Sequence, residues 1–545
     1  MGLAQSFIQT CKRRKRRAKV ADSTGIEMSG GMLLMRSLIL RRLLLRHCLT
    51  EDERFVGLLL PPSAGGVLAN MALVLDRRVP VNLNYSVPAT VINECISQAG
   101  IRHVLTSRAF MERMKLELDA ELVYLEDFRN KATWGDKLSG MLKAYTVPAG
   151  LLERWLRLQQ VQSDDLATVI FTSGSTGTPK GVMLTEANIA SNVEAIQHVV
   201  KLTPDDVLVG ILPFFHSFGY TVTLWTVMTI DVKGVYHFNP LEAKQIGKLV
   251  KTHHGTVLLA TPTFLRSYLR RCEPDEFASL DVVVAGAEKL PVELCEAFER
   301  KFGQRPIEGY GTTELSPLVS VNIPPSRSFG THQVDRKEGT VGRPVPGVSA
   351  KVTDLDTGAE LGVNQPGMLW IKGPNVMKGY LGREDLTAQV IRDGWYMTGD
   401  IASIDADGFI RITGRQSRFS KIGGEMIPHI QIEEALARML RVGEDEPLKV
   451  AVTAVPDDRN DESLKVAVTA VPDDRKGERL VVLHTKLDKS PDDLRKGLAE
   501  AGLPNLYIPS ADSFYEVEEI PVLGSGKLDL KGIRDIALRV FGEPT

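Results

Sequence analysis

The clearest chemistry in this chain lies in ten residues, TSGSTGTPKG, running from Thr172 to Gly181 directly after the apolar run DLATVIFTS. Its glycines, Gly174, Gly177 and Gly181, let backbone N–H groups close around phosphate oxygens. The hydroxyls of Thr172, Ser173, Ser175 and Thr176 add donors, and Lys180 adds a positive charge. The pattern is not a Walker loop, because Pro179 stands where that motif needs glycine. A bland reading is a flexible Gly/Ser linker. A lysine inside the segment, and a place expected between a strand and a helix, speak against it.

Other runs show what scaffold such a loop would sit on. FVGLLL (55–60), IRHVL (101–105), DLATVIFTS (165–173), GTVLLATP (255–262) and LDVVVAGA (280–287) are short and rich in β-branched residues. Each is followed by Gly, Ser or Pro and then by a helical pattern, the signature of α/β units around parallel sheets. After residue 340 glycine and proline become dense. MLWIKG (368–373) and GFIRITG (408–414) then predict a small β-rich subdomain, and IQIEEALARML (430–440) predicts a helix in an α+β tail.

Composition bounds the rest. The 545 residues are 43% apolar and 25% charged, ordinary for a globular protein with a large core, and the net charge of -2 gives no field for nucleic acid. Five cysteines without a C-x-x-C pair are expected as reduced structural thiols of a cytoplasmic protein. No stretch reaches the roughly 20 uncharged apolar residues of a membrane span. Met32 to Leu49 carries four arginines, and its leucines recur at helical spacing, so it reads as an amphipathic helix packed on a core. The basic run Lys12 to Arg17 reads as a solvated face, with peripheral contact to anionic lipid at the inner membrane face as the other option.

TSGSTGTPKG resembles the phosphate loop of the adenylate-forming superfamily. Further motifs follow in that family's order: GYGTTE (309–314), YMTGD (396–400), GR (414–415) and GSGKLD (524–529). The resemblance implies an α/β fold, with a large N-terminal domain of two α/β-layered sheets plus the β-rich subdomain (1–414) and a smaller mobile α+β C-terminal domain (415–545). It implies ATP and Mg²⁺, with Thr172, Ser173, Gly174, Ser175, Thr176, Gly177 and Lys180 around the phosphates. Gly286, Ala287, Tyr310, Gly311 and Thr312 would flank adenine, Asp400 and Arg415 would hold the ribose, and Thr313 would donate to the α-phosphate. Glu314, a hard oxygen ligand, would hold Mg²⁺ together with Thr176. Lys527 would bridge the attacking carboxylate and the phosphate. Gly423 and Gly424, in KIGGE, would admit a pantetheine arm.

LPFFHSFGYTVTLW (212–225) addresses the substrate. Amino-acid-activating relatives place an aspartate here; this chain has His216, Ser217, Phe218 and Gly219 among apolar residues. A fatty acid of medium or long chain is therefore expected, with His216 as gate between acyl and thiol pockets; a core histidine is its bland alternative. SRFSKIGGEMIPHI (417–430) narrows the resemblance to long-chain fatty acid ligases and to the acyl-[acyl carrier protein] synthetase half of 2-acylglycerophosphoethanolamine acyltransferase. That favours acyl carrier protein as the thiol acceptor, with coenzyme A as the alternative. Two other functions stay in view. One is a lysophospholipid acyltransferase, for which His47 and Asp52 match a His-x4-Asp spacing. The other is an inactive acyl- or nucleotide-binding protein. LKVAVTAVPDDR occurs at 448–459 and again at 464–475, and the second copy, which runs on into KGERLVVLHT, is expected to occupy the sheet.

Overall fold

The run VVVA, with four apolar side chains in a row, can be satisfied only where a strand is covered on both faces. Val282–Ala285 is such a strand: all four residues are buried, and it pairs in parallel with the equally buried Val257–Ala260. A computed structural model describes residues 1–173, 178–328, 335–422, 425–440, 466–473, 477–487, 489–521 and 529–541.

These two strands lie in a nine-stranded sheet. Its order is Arg343–Pro344, Leu318–Val321, Ile307–Gly311, Val282–Ala285, Val257–Ala260, Val207–Gly210, Lys233–Tyr236, Ala18–Asp22 and Glu27–Ser29. The centre is parallel and both edges are antiparallel. A second, four-stranded parallel sheet orders Val79–Asn82, Phe55–Leu58, His103–Thr106 and Glu121–Tyr124. The two sheets and the helices between them form the large α/β unit expected from the strand–helix alternation. Of the run Met32 to Leu49, all but the last two residues fall in the Gly30–His47 helix, capped by the Ser29 hydroxyl. Beyond residue 345 a five-stranded sheet includes Gly367–Lys372, Trp395–Ile404 and Ile410–Arg415.

One expected unit differs. Leu166–Ser173 does not lead into a helix; it turns back as an antiparallel hairpin onto Pro179–Thr185, and the helix Glu186–Val200 begins only after that strand. Val182 and Leu184 alternate into the core, so PKGVMLT is a strand despite its Pro and Gly. Thr185 then caps the helix through a reciprocal bond with Asn188.

The basic run near the N-terminus is not simply a solvated face. Arg14 is buried, paired with Asp231 and donating to the Ala18 and Pro204 carbonyls. Lys12 and Lys15 donate to the carbonyls of Lys143, Val147 and Tyr145 at the end of the Trp134–Tyr145 helix. Lys19 is fully buried between the carbonyls of Ile230 and Val232, and burial lowers its pKa to about 7. The cysteines are free thiols. Burial pushes Cys11 and Cys95 up to about 12, and Cys272 and Cys295 to about 11, which leaves them unreactive at neutral pH.

In the C-terminal part the second repeat copy supplies the strand Val466–Asp473, paired antiparallel with Gly477–His484, as the run-on into KGERLVVLHT predicts. The first copy, 448–459, lies outside the described residues. Ile432 and Leu436 of the His429–Met439 helix pack on Val466, Val468 and Val482. At the head of that helix His429 is buried against the Ser420 hydroxyl, and desolvation lowers its pKa from 6.5 to about 3. The unfolded chain therefore takes up a proton that the folded chain refuses. This contribution to stability is complete above pH 6.5 and is lost as the pH falls from 6.5 toward 3, by at most about 1.4 kcal/mol per pH unit. Urea unfolding at pH 7 and pH 5 is expected to show the loss, and His429→Gln to flatten it.

Candidate active site

The phosphate segment occupies the tip of the hairpin. Thr172 faces Lys180 and Ser173 faces Pro179 across the two strands. Gly174, Ser175, Thr176 and Gly177 lie outside the described residues. A third short strand, Gly379–Tyr380, pairs with the hairpin, with Tyr380 opposite Val182. The Tyr380 ring lies 5.4 Å from Lys180 Nζ, and its hydroxyl donates to Glu314 Oε1 at 2.9 Å. Burial, reinforced by the Glu314 charge, pushes the Tyr380 phenol well above its ordinary range, so it stays a donor. Tyr380 was not singled out by the sequence. Its only local signal is an aromatic between two glycines in KGYLG.

Glu314 and Thr313 share a single helical turn directly after the strand Ile307–Gly311. A Cβ on Gly311 would lie 2.0 Å from the Pro317 carbonyl oxygen, so the turn that presents these residues requires glycine. Thr313 Oγ1 accepts from Ser217 Oγ at 3.3 Å. Phosphate hairpin, GYGTTE turn and LPFFHSFG segment therefore meet through Lys180, Tyr380, Glu314, Thr313 and Ser217.

The residues expected to hold the ribose stand on two further strands. Asp400 and Arg415 are cross-strand partners, with Arg415 Nε 2.9 Å from Asp400 Oδ1, and the Tyr310 hydroxyl donates to Oδ2. Asp400 is buried, which pushes its carboxyl up, while Arg415 and the Tyr310 hydroxyl act the other way. Gly286 follows the strand Val282–Ala285. A Cβ there would lie 3.2 Å from the Phe218 ring and 3.6 Å from the Gly309 carbonyl, beside Tyr310. Ala287 holds φ at +68°, which aims the next peptide away from the strand line. Thr312 Oγ1 is buried without a hydrogen-bond partner. A buried donor left open next to Tyr310 and Thr313 fits a site whose polar groups are completed by a ligand.

His216 is exposed, which excludes the core-histidine reading, and its ring lies 4.5 Å from that of Phe215. Phe215 in turn is met edge-on by Tyr85 at 4.7 Å, and the Tyr85 hydroxyl is buried with no partner. Sequence reading missed Tyr85, which comes from the other sheet's end, 131 positions before His216. Phe218–Trp225 forms a π-helix, a geometry found mostly at functional sites. Gly219 makes it possible: a Cβ would sit 2.1 Å from the Pro213 carbonyl oxygen. Gly219→Ala is expected to displace the His216–Phe218 turn. It should lower thermal stability by several degrees, and urea or thermal unfolding checks this.

Glu314 keeps one carboxylate oxygen beyond the Tyr380 bond. Mg²⁺ usually binds through one or two carboxylates plus substrate phosphates, so this donor set fits an ion carried in with a nucleotide. Lys527, Gly423 and Gly424 lie outside the described residues. Asp52 is ion-paired with Arg102 at 2.7 Å on the surface, and His47 is exposed at the end of its helix, an arrangement that gives no support to an acyltransferase pair.

Fold and site together define a nucleotide-binding enzyme of the adenylate-forming kind, and the chain belongs to the AMP-binding enzyme family, whose model matches residues 7–381. A long-chain-fatty-acid–CoA ligase of Yersinia pestis is 30% identical over 384 residues, covering 68% of this chain and 64% of that protein. A protein of the same description from Bacillus subtilis is 35% identical over 304 residues, covering 54% and 50%. The chain thus spans about half to two-thirds of the length of these relatives. The structure of o-succinylbenzoate CoA synthetase from Bacillus subtilis, in complex with its acyl-adenylate intermediate, superposes with a TM-score of 0.77. It does so at 22% identity, covering 97% of this chain and 98% of that one, so the fold is shared. Among the described residues no helix is long and apolar enough to cross a membrane.

Proposed function

We propose that this protein is an AMP-forming acid–thiol ligase. It activates a medium- or long-chain fatty acid with ATP and transfers the acyl group to a phosphopantetheine thiol. The observation that carries the reading is the contact chain Lys180–Tyr380–Glu314, which joins the hairpin to the Glu314 carboxylate beside Thr313 and Ser217. In the first step a carboxylate oxygen attacks the α-phosphorus and pyrophosphate leaves. The hairpin and Lys180 hold phosphate oxygens, Thr313 donates to the α-phosphate, and Asp400 and Arg415 hold the ribose. Mg²⁺, when bound through Glu314 and Thr176, neutralises phosphate charge. Lys527 offsets carboxylate–phosphate repulsion from a mobile C-terminal lobe beginning at residue 415. In the second step the thiolate sulfur attacks the acyl carbonyl and AMP leaves, with Gly423 and Gly424 beside the pantetheine arm and His216 at the gate.

The acceptor is coenzyme A in this reading, as in the names of the relatives. Acyl carrier protein, favoured by the SRFSKIGGEMIPHI run, is the second reading. Each additional buried methylene contributes about 0.8 kcal/mol, so an apolar acyl site favours long chains over acetate. Pyrophosphate exchange driven by fatty acids of two to eighteen carbons is expected to rise steeply with length. No exchange with any carboxylate would overturn the reading. Thioester formation with coenzyme A and with holo-acyl carrier protein side by side decides the acceptor.

A further inference from the structure

The Trp134–Tyr145 helix turns large apolar side chains away from the side it packs. Its buried face is Asp136, Gly140 and Ala144, spaced four apart, and it presses on the Gly30–His47 helix so closely that a Cβ on Gly140 would lie 2.7 Å from Ile39 Cγ1. A surface helix ordinarily turns polar residues outward. Here the outward side carries Trp134, Leu138, Met141 and Leu142, at i, i+4, i+7 and i+8, and all four are exposed, Trp134 to 86%. After the turn at Pro148 the Ala149–Trp155 helix exposes Leu151 and Trp155, again four apart. Lys143 Nζ lies 6.0 Å from the Trp155 ring and brings the second helix alongside the first. The result is one apolar ridge with a tryptophan on each helix.

The charges around this ridge are sorted. Between residues 131 and 157 the only acidic residues are Asp136 and Glu153, and both are buried. Asp136 is taken by Arg46, at 2.8 and 3.0 Å, and by Arg42; Glu153 accepts from Gln5 and Gln9. Lys131, Lys137, Arg154 and Arg157 are exposed and Lys143 is half-buried. Every exposed charge of this segment is therefore positive, in a chain whose net charge is -2.

We propose that this ridge docks the protein on the surface of an anionic lipid bilayer. Indole rings combine a large apolar face with one N–H donor and settle at the water–lipid boundary. Long basic side chains around them can lie along apolar surface while their charged ends reach lipid phosphates. An acidic protein partner would match the charge, but it would not account for large aliphatic and indole side chains left exposed in the middle of the basic rim. The inference does not depend on the ligase reading. If both hold, the ridge keeps the enzyme where free fatty acids partition.

The test is co-sedimentation of the full chain with extruded vesicles of phosphatidylcholine alone or mixed with phosphatidylglycerol. Binding to the anionic vesicles, weakened by salt, is expected. The variant Trp134→Ser/Leu138→Gln/Trp155→Ser should bind them at least about tenfold more weakly. Lys131→Glu/Lys137→Glu/Arg154→Glu should erase the preference for phosphatidylglycerol. Each of these side chains is exposed, so an unchanged melting temperature verifies the fold of each variant. Three results would overturn the proposal: no vesicle binding by the wild-type chain; equal binding by the apolar triple variant; or a wild-type dimer, or complex with an acidic carrier protein, that forms through the ridge in place of lipid binding.

Discussion

Asp400→Ala is expected to weaken ATP binding by at least about 100-fold, because a charged acceptor typically contributes about 1.5–3 kcal/mol per hydrogen bond and a ribose diol makes two. The carboxylate is well placed for this. One oxygen accepts from Arg415 Nε and the other from the Tyr310 hydroxyl, yet each keeps a lone pair for a ribose hydroxyl. Burial raises the energy of the charged form, and the two partners hold it in place. Alanine removes the acceptor and also leaves the Tyr310 hydroxyl without its partner, so part of the loss appears as stability. Asp400→Asn separates the two contributions. Its amide oxygen can still accept from Tyr310, so melting temperature should largely recover. Arg415, whose side chain is 63% exposed and reached by water, loses only its counter-charge. ATP affinity by calorimetry should recover only in part. If Asp400→Ala binds ATP as the wild type does, Asp400 does not hold the ribose.

How much of this was legible beforehand follows from the range of each interaction. Val282–Ala285 and Val257–Ala260 could be read as buried strands because two-sided burial leaves an uninterrupted apolar run. The cross-strand pair Asp400 and Arg415 was legible only through the motifs that carry it, since fourteen residues of intervening sequence give no register. The hairpin was misread as strand–loop–helix because Pro179 and Gly181 resemble punctuation, while the burial of Val182 and Leu184 that makes them strand is a property of the packed sheet. Tyr380 was invisible for a related reason. Its bond to Glu314 spans 66 positions and depends on a two-residue edge strand that no local pattern announces. Trp134, Leu138 and Met141 show the opposite ambiguity: helical spacing of apolar residues looks the same whether the stripe faces core or solvent, and only their exposure in the fold distinguishes them.

Lys527→Ala is expected to have the other large effect, slowing fatty-acid-driven pyrophosphate exchange by about 100- to 1000-fold, the usual consequence of losing one preorganised donor at a developing charge. The barrier in question is electrostatic. A carboxylate must approach a phosphate that is itself anionic, and Lys180, near the Tyr380 ring in the hairpin, is assigned here to the phosphate oxygens rather than to the incoming acid. A cation that contacts both reactants lowers the repulsion only in the transition state, so kcat should fall while the affinity for ATP barely changes. Thioester formation from a pre-formed acyl-adenylate contains no carboxylate–phosphate encounter and should proceed at close to the wild-type rate. Lys527→Arg keeps the charge but not the compact ammonium geometry and should recover only part of the loss. Equal damage to both half-reactions would instead mean that the lysine loop supports the lobe as a whole, and would move the search for the bridging cation to other basic residues of the C-terminal part.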